Sequence, residues 1–292
     1  MHINLKLLAV WLMLLALGLA LQVDFSGSNQ PSSQSLLSLT DAGDLTRIKL
    51  TRASEKNLLV NKNTYWTLSD GTRLDLDIQR SLLGVLRLME VKREISELPE
   101  TPQSIAVELT KTDGERLTFS VHGDPTNQNT YISMANSYYQ VHIPNSSGYI
   151  AQIFDLTGLQ LRDRTVFKTH PTSFVSLSIE NNGGEITKIF QDEQGISISD
   201  IQKMDTAKVY AYLGQYQAYK INEWISSPPS PVTNFLFKIS LEDIEGLSTL
   251  TFYEWPADKS LYLVQHNNQS FGVITQKRAR QLLLPKNQFE KL

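Results

Sequence analysis

Internal similarity between the two halves of the chain limits its possible folds more than any other feature of the sequence. The tripeptide Leu-Thr-Phe occurs at 117–119 and again at 250–252, and an acidic residue followed by glycine precedes both copies. A second match, at one fixed offset, joins Leu161, Arg164 and Phe167 to Leu283, Lys286 and Phe289. Two copies indicate a duplicated domain, because stacked repeat arrays need three or more units to be stable.

Length and composition are consistent with two domains of ordinary size. The chain has 292 residues, 41% of them hydrophobic, which is enough to bury a substantial core. The net charge is −3 with both signs interspersed, so the sequence lacks the basic character of a nucleic-acid-binding protein. Cysteine is absent, which excludes disulfides, thiolate zinc sites and cysteine nucleophiles. We predict no cofactor and no metal.

An uninterrupted apolar run, Leu7 to Leu21, follows Lys6 near the amino terminus. A helix of this length spans about 22 Å, whereas a bilayer core is about 30 Å thick. Val23, Phe25 and a snorkelling Lys6 extend that reach, so we predict a membrane anchor within residues 1–23. The alternative is a cleaved signal peptide, with Gly18 and Ala20 as the small residues before the cut.

The charges that flank the apolar run predict its orientation. Lys6 precedes it, while Asp24, Asp41 and Asp44 come before the first downstream basic residue, Arg47. The positive-inside rule then puts the amino terminus in the cytoplasm and the body outside. In a bacterium this means a single-pass inner-membrane protein with a periplasmic body; after signal cleavage, the protein would be secreted to the periplasm. Residues 24–43, rich in Ser, are predicted to be a flexible linker.

Hydrophobic periodicity predicts the same order of elements in two units, residues 44–170 and 171–292. Each begins with short alternating strands, and Ile196-Ser197-Ile198 takes the place of the strand that contains Trp66. An amphipathic helix follows, over 76–93 in the first unit and over 205–221 in the second. Proline-containing breaks and hairpins come next, and further helical stretches are predicted at 150–159 and 276–284.

The two predicted helices differ in the chemistry of their apolar faces. The first face is aliphatic, with Leu82 and Met89, whereas the second is rich in tyrosine, with Tyr216 and Tyr219. The repeats have therefore diverged. The predicted fold class is α+β: two tandem diverged repeats of antiparallel sheet with packed helices, preceded by an N-terminal membrane helix.

No residue pattern predicts catalysis. The five histidines show no metal-ligand spacing, and the sequence has no nucleophile elbow, P-loop or dinucleotide fingerprint. Asp75 and Asp77 lie at the predicted start of the first long helix, where negative charge favours capping over acid–base chemistry. Lys277, Arg278 and Arg280 form a short basic cluster that is most simply a solvated helix face.

Tyrosines concentrate around one predicted hairpin and suggest an interaction surface. This group comprises Tyr131, Tyr138, Tyr139 and Tyr149. Exposed tyrosines are common in protein interfaces and bind carbohydrate, but tyrosine also favours ordinary half-buried strands. Both interpretations stay open at the level of sequence.

Two segments resemble a known family. Leu45-Thr46-Arg47-Ile48-Lys49-Leu50 and the segment 161–167, which contains Arg162, Asp163 and Arg164, are similar to motifs of the domain of unknown function 4340 family. The resemblance covers about residues 44–292. It implies a membrane-anchored protein with duplicated units, found alongside gliding-motility-type ABC transporters, and it brings no catalytic residue. The second unit departs from the pattern, since Leu284-Pro285-Lys286 replaces 162–164 and no tryptophan answers Trp66.

Three functions follow as expectations. The first is a non-catalytic, membrane-tethered periplasmic scaffold that binds protein partners of an ABC-type transport system, with the four tyrosines and residues 162–164 as the candidate surface. The second is a periplasmic glycan- or lipid-binding module that uses the tyrosine surface. The third is an envelope hydrolase, which would need carboxylates or histidines from distant strands to converge.

Overall fold

The computed structural model describes residues 42–53, 55–100, 103–146, 148–228, 232, 234–256, 258–283 and 286–290. The predicted anchor at 7–21, and the predicted linker up to residue 41, lie outside these residues. Of the helices in the described ranges, none combines the length and apolar character needed to cross a membrane.

Two eight-stranded sheets dominate the molecule, and every strand pairing in them is antiparallel. The first sheet consists of β1 (Leu45–Arg52), β2 (Glu55–Asn61), β3 (Trp66–Leu68), β4 (Glu90–Ile95), β5 (Gln103–Lys111), β6 (Arg116–Asp124), β7 (Asn129–Met134) and β8 (Ser137–His142). The chain then forms β9 (Thr165–Phe167) and the second sheet: β10 (Phe174–Asn181), β11 (Ile186–Asp192), β12 (Gly195–Ile198), β14 (Glu223–Ile225), β15 (Phe235–Asp243), β16 (Gly246–Glu254), β17 (Leu261–His266) and β18 (Ser270–Thr275). A short strand, β13 (Tyr219–Lys220), pairs with β9.

The strand orders show that the two units are copies. The first sheet has the order β3-β2-β1-β5-β6-β7-β8-β4, and the second has β12-β11-β10-β15-β16-β17-β18-β14. Each strand of one order has its counterpart at the same place in the other. Ile196–Ile198 lies in β12, at the position that β3 and Trp66 occupy in the first sheet, as predicted. The molecule is therefore mostly antiparallel sheet with a few helices, in two tandem units.

The helices are shorter than the hydrophobic periodicity predicts. They are α1 (Leu76–Leu88), α2 (Gly158–Leu161), α3 (Thr206–Leu213) and α4 (Gln276–Gln281), with 3-10 turns at Ala42–Asp44, Ile150–Ile153, Gly214–Tyr216 and Lys286–Phe289. The prediction of helix over 76–93 is wrong beyond Leu88, because Glu90–Ile95 pairs with β8 as an edge strand. Pairing with the sheet overrides helix propensity here. The second long helix also ends early, at Leu213 before Gly214, and Tyr219–Lys220 is a strand.

Each sheet buries one face under its helices, and each unit has its own core. In β1, Leu45, Ile48 and Leu50 all point inward, although a regular strand would alternate. An irregularity in register between Leu45 and Arg47 reconciles the spacing. The first core ends along the chain at Leu161, and the second core begins at Val166. The change of core therefore comes before residue 170, without a linker between the units.

The short sequence matches lie in equivalent elements but not at equivalent positions. In the first unit, Phe119 of β6 pairs with Val107 of β5. In the second unit, Ile239 of β15 takes the place of Val107, and it pairs with Leu250 of β16. The Leu-Thr-Phe tripeptides thus lie in corresponding strands but are displaced by two residues. Because side chains alternate with a period of two, the displacement keeps the same face inward. The match therefore reflects the shared inward-facing pattern of the two strands.

The match of Leu161 to Leu283 also differs from the structural equivalence. The Asp75 N–H donates to Leu161 O at 2.9 Å, and the Asp205 N–H donates to Phe289 O at 2.8 Å. Leu161 therefore corresponds to Phe289. In both units a late segment of the chain runs past the residue that begins the long helix.

Candidate functional site

The four tyrosines of the predicted surface do not form one surface. Tyr139 pairs with the core residue Ile132 and therefore shares its inward face, and Tyr149 also packs against the first core. Tyr131 and Tyr138 point to the opposite face. Tyr131 is only 7% exposed there, so it offers little area to a partner. The half-buried strand interpretation describes this hairpin best.

Tyr149 fills a space that Gly123 leaves free. A Cβ atom at Gly123 would lie 1.9 Å from Tyr149 Oη, so no larger residue fits without movement. The hydroxyl is buried and has no hydrogen-bond partner in the described part of the chain. Burial raises the pKa of Tyr149, and the nearby charges of Asp155 and Asp124 raise it further. Tyr149 therefore packs against β6, the strand that contains Gly123.

Residues 162–164 lie in the connection between the units. The Arg162 guanidinium donates to Thr72 Oγ1 at 3.3 Å, and the Asp163 carboxylate binds Lys168 Nζ at 2.9 Å. Arg164 Nε lies 3.2 Å from Asp75 Oδ2. The three side chains therefore have partners within the protein, and they tie the connection to both units.

Asp75 is the centre of this connection. Its side chain is 0% exposed, and Oδ1 accepts a hydrogen bond from the Asp77 N–H at 3.0 Å, which makes Asp75 the N-cap of α1, as its position in the sequence predicts. Lys220, from β13, places Nζ 3.4 Å from Asp75 Oδ2 and 2.7 Å from Asp77 Oδ2. Arg164 of the connection and Lys220 of the second unit thus neutralise the carboxylates of Asp75 and Asp77 in the first unit.

The electrostatics of this cluster favour its charged form. Burial alone would raise the pKa of Asp75, but the Asp77 N–H and the charges of Lys220 and Arg164 outweigh it and hold the pKa below its ordinary value. For Lys220, burial opposes the charge, but the two aspartates raise its pKa. Trp224 completes the contact, because its Nε1–H donates to Asp163 O at 3.0 Å. We call Asp75, Asp77, Asp163, Arg164, Lys220 and Trp224 the inter-unit joint.

Two histidines approach serines on neighbouring strands. His122 Nε2 lies 3.1 Å from Ser133 Oγ, and His266 Nε2 lies 3.1 Å from Ser248 Oγ. Burial lowers the pKa of both histidines. Ser248 Oγ donates its proton to Val166 O at 3.0 Å. Among the described residues, neither imidazole is hydrogen-bonded to a carboxylate, which an acid–base triad would require.

The basic cluster near the carboxyl terminus divides into three different environments. Arg278 packs over the Tyr219 ring, 5.6 Å from its centroid, and donates to Lys220 O. Lys277 is exposed. Arg280 faces a groove, described next. Lys277 and Arg280 are exposed and fit a solvated helix face, whereas Arg278 does not.

A groove of about 620 Å³ opens at one end of the second sheet, in the size range of small-molecule sites. The residues that line it come from β15 and the residue before it, from β16, β17 and the connection between them, and from α4. They are Asn234, Leu236, Glu254, Trp255, Pro256, Lys259, Leu261, Tyr262, Gln276 and Arg280. The groove combines an aromatic wall with both acidic and basic side chains.

Sequence reasoning missed both the joint and the groove. Lys220 carries no signal in the sequence, because its two acidic partners lie more than 140 positions earlier in the chain. The groove could have been suspected from Trp255-Pro256, an aromatic residue and a proline that directly follow β16. Within the described ranges, no group of three or more potential ligand residues is placed to hold a metal ion.

Comparisons with protein-family models, with curated proteins and with solved structures return no match. The resemblance to the domain of unknown function 4340 family therefore stays a prediction from the residues quoted for it.

Proposed function

We propose that this chain is a non-catalytic scaffold, tethered to the inner membrane, whose periplasmic body binds protein components of an ABC-type transport system. The apolar run at 7–21 would supply the tether, and residues 24–41 would space the body from the membrane. The two sheets would present partner-binding surfaces. The resemblance to the domain of unknown function 4340 family motivates the choice of a transport system.

The inter-unit joint is the observation that carries this proposal. Two units linked by a flexible segment would reorient freely. Here Lys220 of the second unit contacts Asp75 of the first, and Arg164 and Trp224 tie the connecting residues to the first and second units. A body with a fixed arrangement of surfaces loses less conformational freedom when it binds a partner, which favours affinity. The joint therefore serves a scaffold better than it serves a binding protein that closes by hinge motion.

A crosslinking pull-down of the full-length chain from native membranes tests the proposal. We expect mass spectrometry to identify a transporter permease and its ATPase among the crosslinked proteins. The double substitution Arg164→Gln and Lys220→Gln should reduce their recovery, because it loosens the joint. Lys277→Gln, which removes one positive charge from an exposed position of α4, should not. Circular dichroism would check that the double variant is still folded.

Recovery of the chain alone, released from membranes without detergent, would contradict both the tether and the complex. Equal recovery of partners by the folded double variant and by the parent chain would contradict the role given to the joint.

The glycan- or lipid-binding function is the second candidate, but its binding site cannot be the tyrosine hairpin predicted from the sequence. Tyr131 is buried and Tyr139 faces the core, so the hairpin does not form a concave aromatic site. The groove beside Trp255 has the concave shape and the aromatic wall that such a function needs.

A further inference from the structure

The groove contains two cations, Arg280 and Lys259, together with the carboxylate of Glu254. Arg280 lies on α4, and Lys259 lies in the connection between β16 and β17. Neither forms an ion pair with a carboxylate of the described residues, although several other basic residues do. Two cations on opposite elements of one groove are suited to bind an anionic group, and arginine can bind a carboxylate through two parallel hydrogen bonds.

Hydrogen bonds hold this basic side of the groove in place. The Gln276 side chain donates to Lys259 O at 2.7 Å and accepts from the Arg280 guanidinium at 3.2 Å. The first bond fixes the connecting loop against α4, and the second orients Arg280. The other N–H donors of the guanidinium make no hydrogen bond with the described residues and can serve a ligand.

A third residue of the groove, Glu254, can accept hydrogen bonds. Glu254 is held by Asn234, whose amide donates to Oε2 at 2.9 Å. A carboxylate there accepts from hydroxyl groups but repels a phosphate or a second carboxylate. Trp255 and Leu236 also line the groove and supply apolar surface. The best match is a ligand that presents one carboxylate to the two cations, hydroxyls to Glu254 and a flat apolar ring face to Trp255.

We propose that this groove binds an acidic sugar chain, with Arg280 and Lys259 on a sugar carboxylate, Glu254 on sugar hydroxyls and Trp255 stacked on a ring. This is a ligand site separate from the protein-binding surfaces of the scaffold function. A lipid headgroup would also supply an anionic group, but it would lack the hydroxyl-rich rings of a sugar chain.

Isothermal titration calorimetry on the full-length chain in an uncharged detergent tests the proposal. The probe is a trimer of galacturonic acid, and its methyl ester is the matched neutral probe. Glycerol 1-phosphate represents the headgroup of phosphatidylglycerol. We expect saturable binding of the acidic trimer, at least about tenfold weaker binding of the ester, and no detectable binding of glycerol phosphate.

Two substitutions on the same helix locate the site. Arg280→Gln should weaken binding of the acidic trimer by about tenfold or more, the effect of removing one charged hydrogen-bond donor. Lys277→Gln removes the same charge from α4 outside the groove and should leave binding unchanged.

Three results would overturn the proposal. They are no binding of the acidic trimer, equal binding of the trimer and its ester, and an equal loss in both variants. Binding of glycerol phosphate in preference to the trimer would assign the groove to a lipid headgroup instead. None of these results bears on the crosslinking experiment, so the two proposals fail independently.

Discussion

The two long helices occupy the same place in their units but bury different side chains. Both begin at an N-cap aspartate, Asp75 for α1 and Asp205 for α3. Counting from that cap, Leu82, Leu86 and Met89 correspond to Tyr212, Tyr216 and Tyr219. All six side chains are buried. An aliphatic contact in one unit is therefore an aromatic contact in the other.

The segment that faces the helix has changed together with it. Phe154 in the first unit corresponds to Leu282 in the second, since each N–H donates to the carbonyl of a buried alanine, Ala151 or Ala279. The facing segment has thus lost one aromatic ring where the helix side has gained three. It therefore offsets only part of the added side-chain volume.

The tyrosine hydroxyls also need partners, and the facing segment provides them. Tyr212 Oη donates to Leu282 O at 2.6 Å, and Tyr219 Oη donates to Arg278 O at 2.9 Å. Burial raises the pKa of both phenols, so they stay protonated donors at neutral pH. Hydrogen bonds to backbone carbonyls make polar side chains acceptable in this core.

The two N-cap aspartates differ just as clearly. The Asp75 side chain is fully buried by the inter-unit joint, whereas the Asp205 side chain is 33% exposed and has Lys208 Nζ at 3.8 Å. One position in the fold thus serves as a helix cap in both units but as an anchor for the neighbouring unit only in the first.

Alanine substitution at the two caps should give the largest contrast. Asp75→Ala removes a cap worth about 1 kcal/mol and leaves Arg164 without its carboxylate partner, while Lys220 keeps Asp77 at 2.7 Å. We expect a further loss of about 3 kcal/mol. We take the low end for the ion pairs because the two cations stay 32% and 24% exposed. Asp205→Ala should cost about 1 kcal/mol. Urea unfolding of the full chain measures both, and equal losses would show that the joint adds nothing.

Removal of a tyrosine hydroxyl tests the aromatic contact and should have a smaller effect. Tyr212→Phe should lower the free energy of unfolding by about 1 kcal/mol, because Leu282 O loses its shorter hydrogen bond. Tyr139→Phe is the matched control. Its hydroxyl makes no hydrogen bond with the described residues, so the change should stay within about 0.5 kcal/mol. If the two variants are equally stable, the hydroxyls of the second unit are not what stabilises its helix.

The effect of pH on the contribution of Asp75 to stability should be confined to the acid range. The folded pKa of Asp75 is lowered, so its contribution is complete above the unfolded pKa of about 3.9 and is lost as pH falls through the lower folded value. The stability difference between the parent chain and Asp75→Asn should therefore be constant from pH 5 to 7 and shrink below about pH 4. Urea unfolding at several pH values measures it. A difference that grows in acid would mean that the carboxyl is protonated more readily in the folded protein.

Patterns along the chain predicted the parts of the fold that depend on local alternation. The duplicated strand order, the strand at Ile196–Ile198 and the buried helix faces all follow from side chains that repeat with the period of a strand or a helix. The N-cap role of Asp75 is also local, since its partner is the N–H of Asp77.

Features that depend on distant partners could not be predicted. Glu90–Ile95 has a helix-compatible sequence and becomes a strand only because β8 offers an open edge. Likewise, the tyrosines around β7 alternate between faces, so a cluster in sequence is divided in space. The groove brings together residues from 234 to 280, and no periodic pattern relates them.

The direct passage from one core to the next has a consequence for dissecting the protein. Leu161 closes the first core, and Val166, only a few positions later, opens the second. Between them Arg164 contacts Asp75 on one side and Asn222 O on the other. Any cut in this stretch removes a partner from one half or the other. The smallest portion of this chain that can be studied with its contacts intact is therefore the pair, and neither half is a natural fragment.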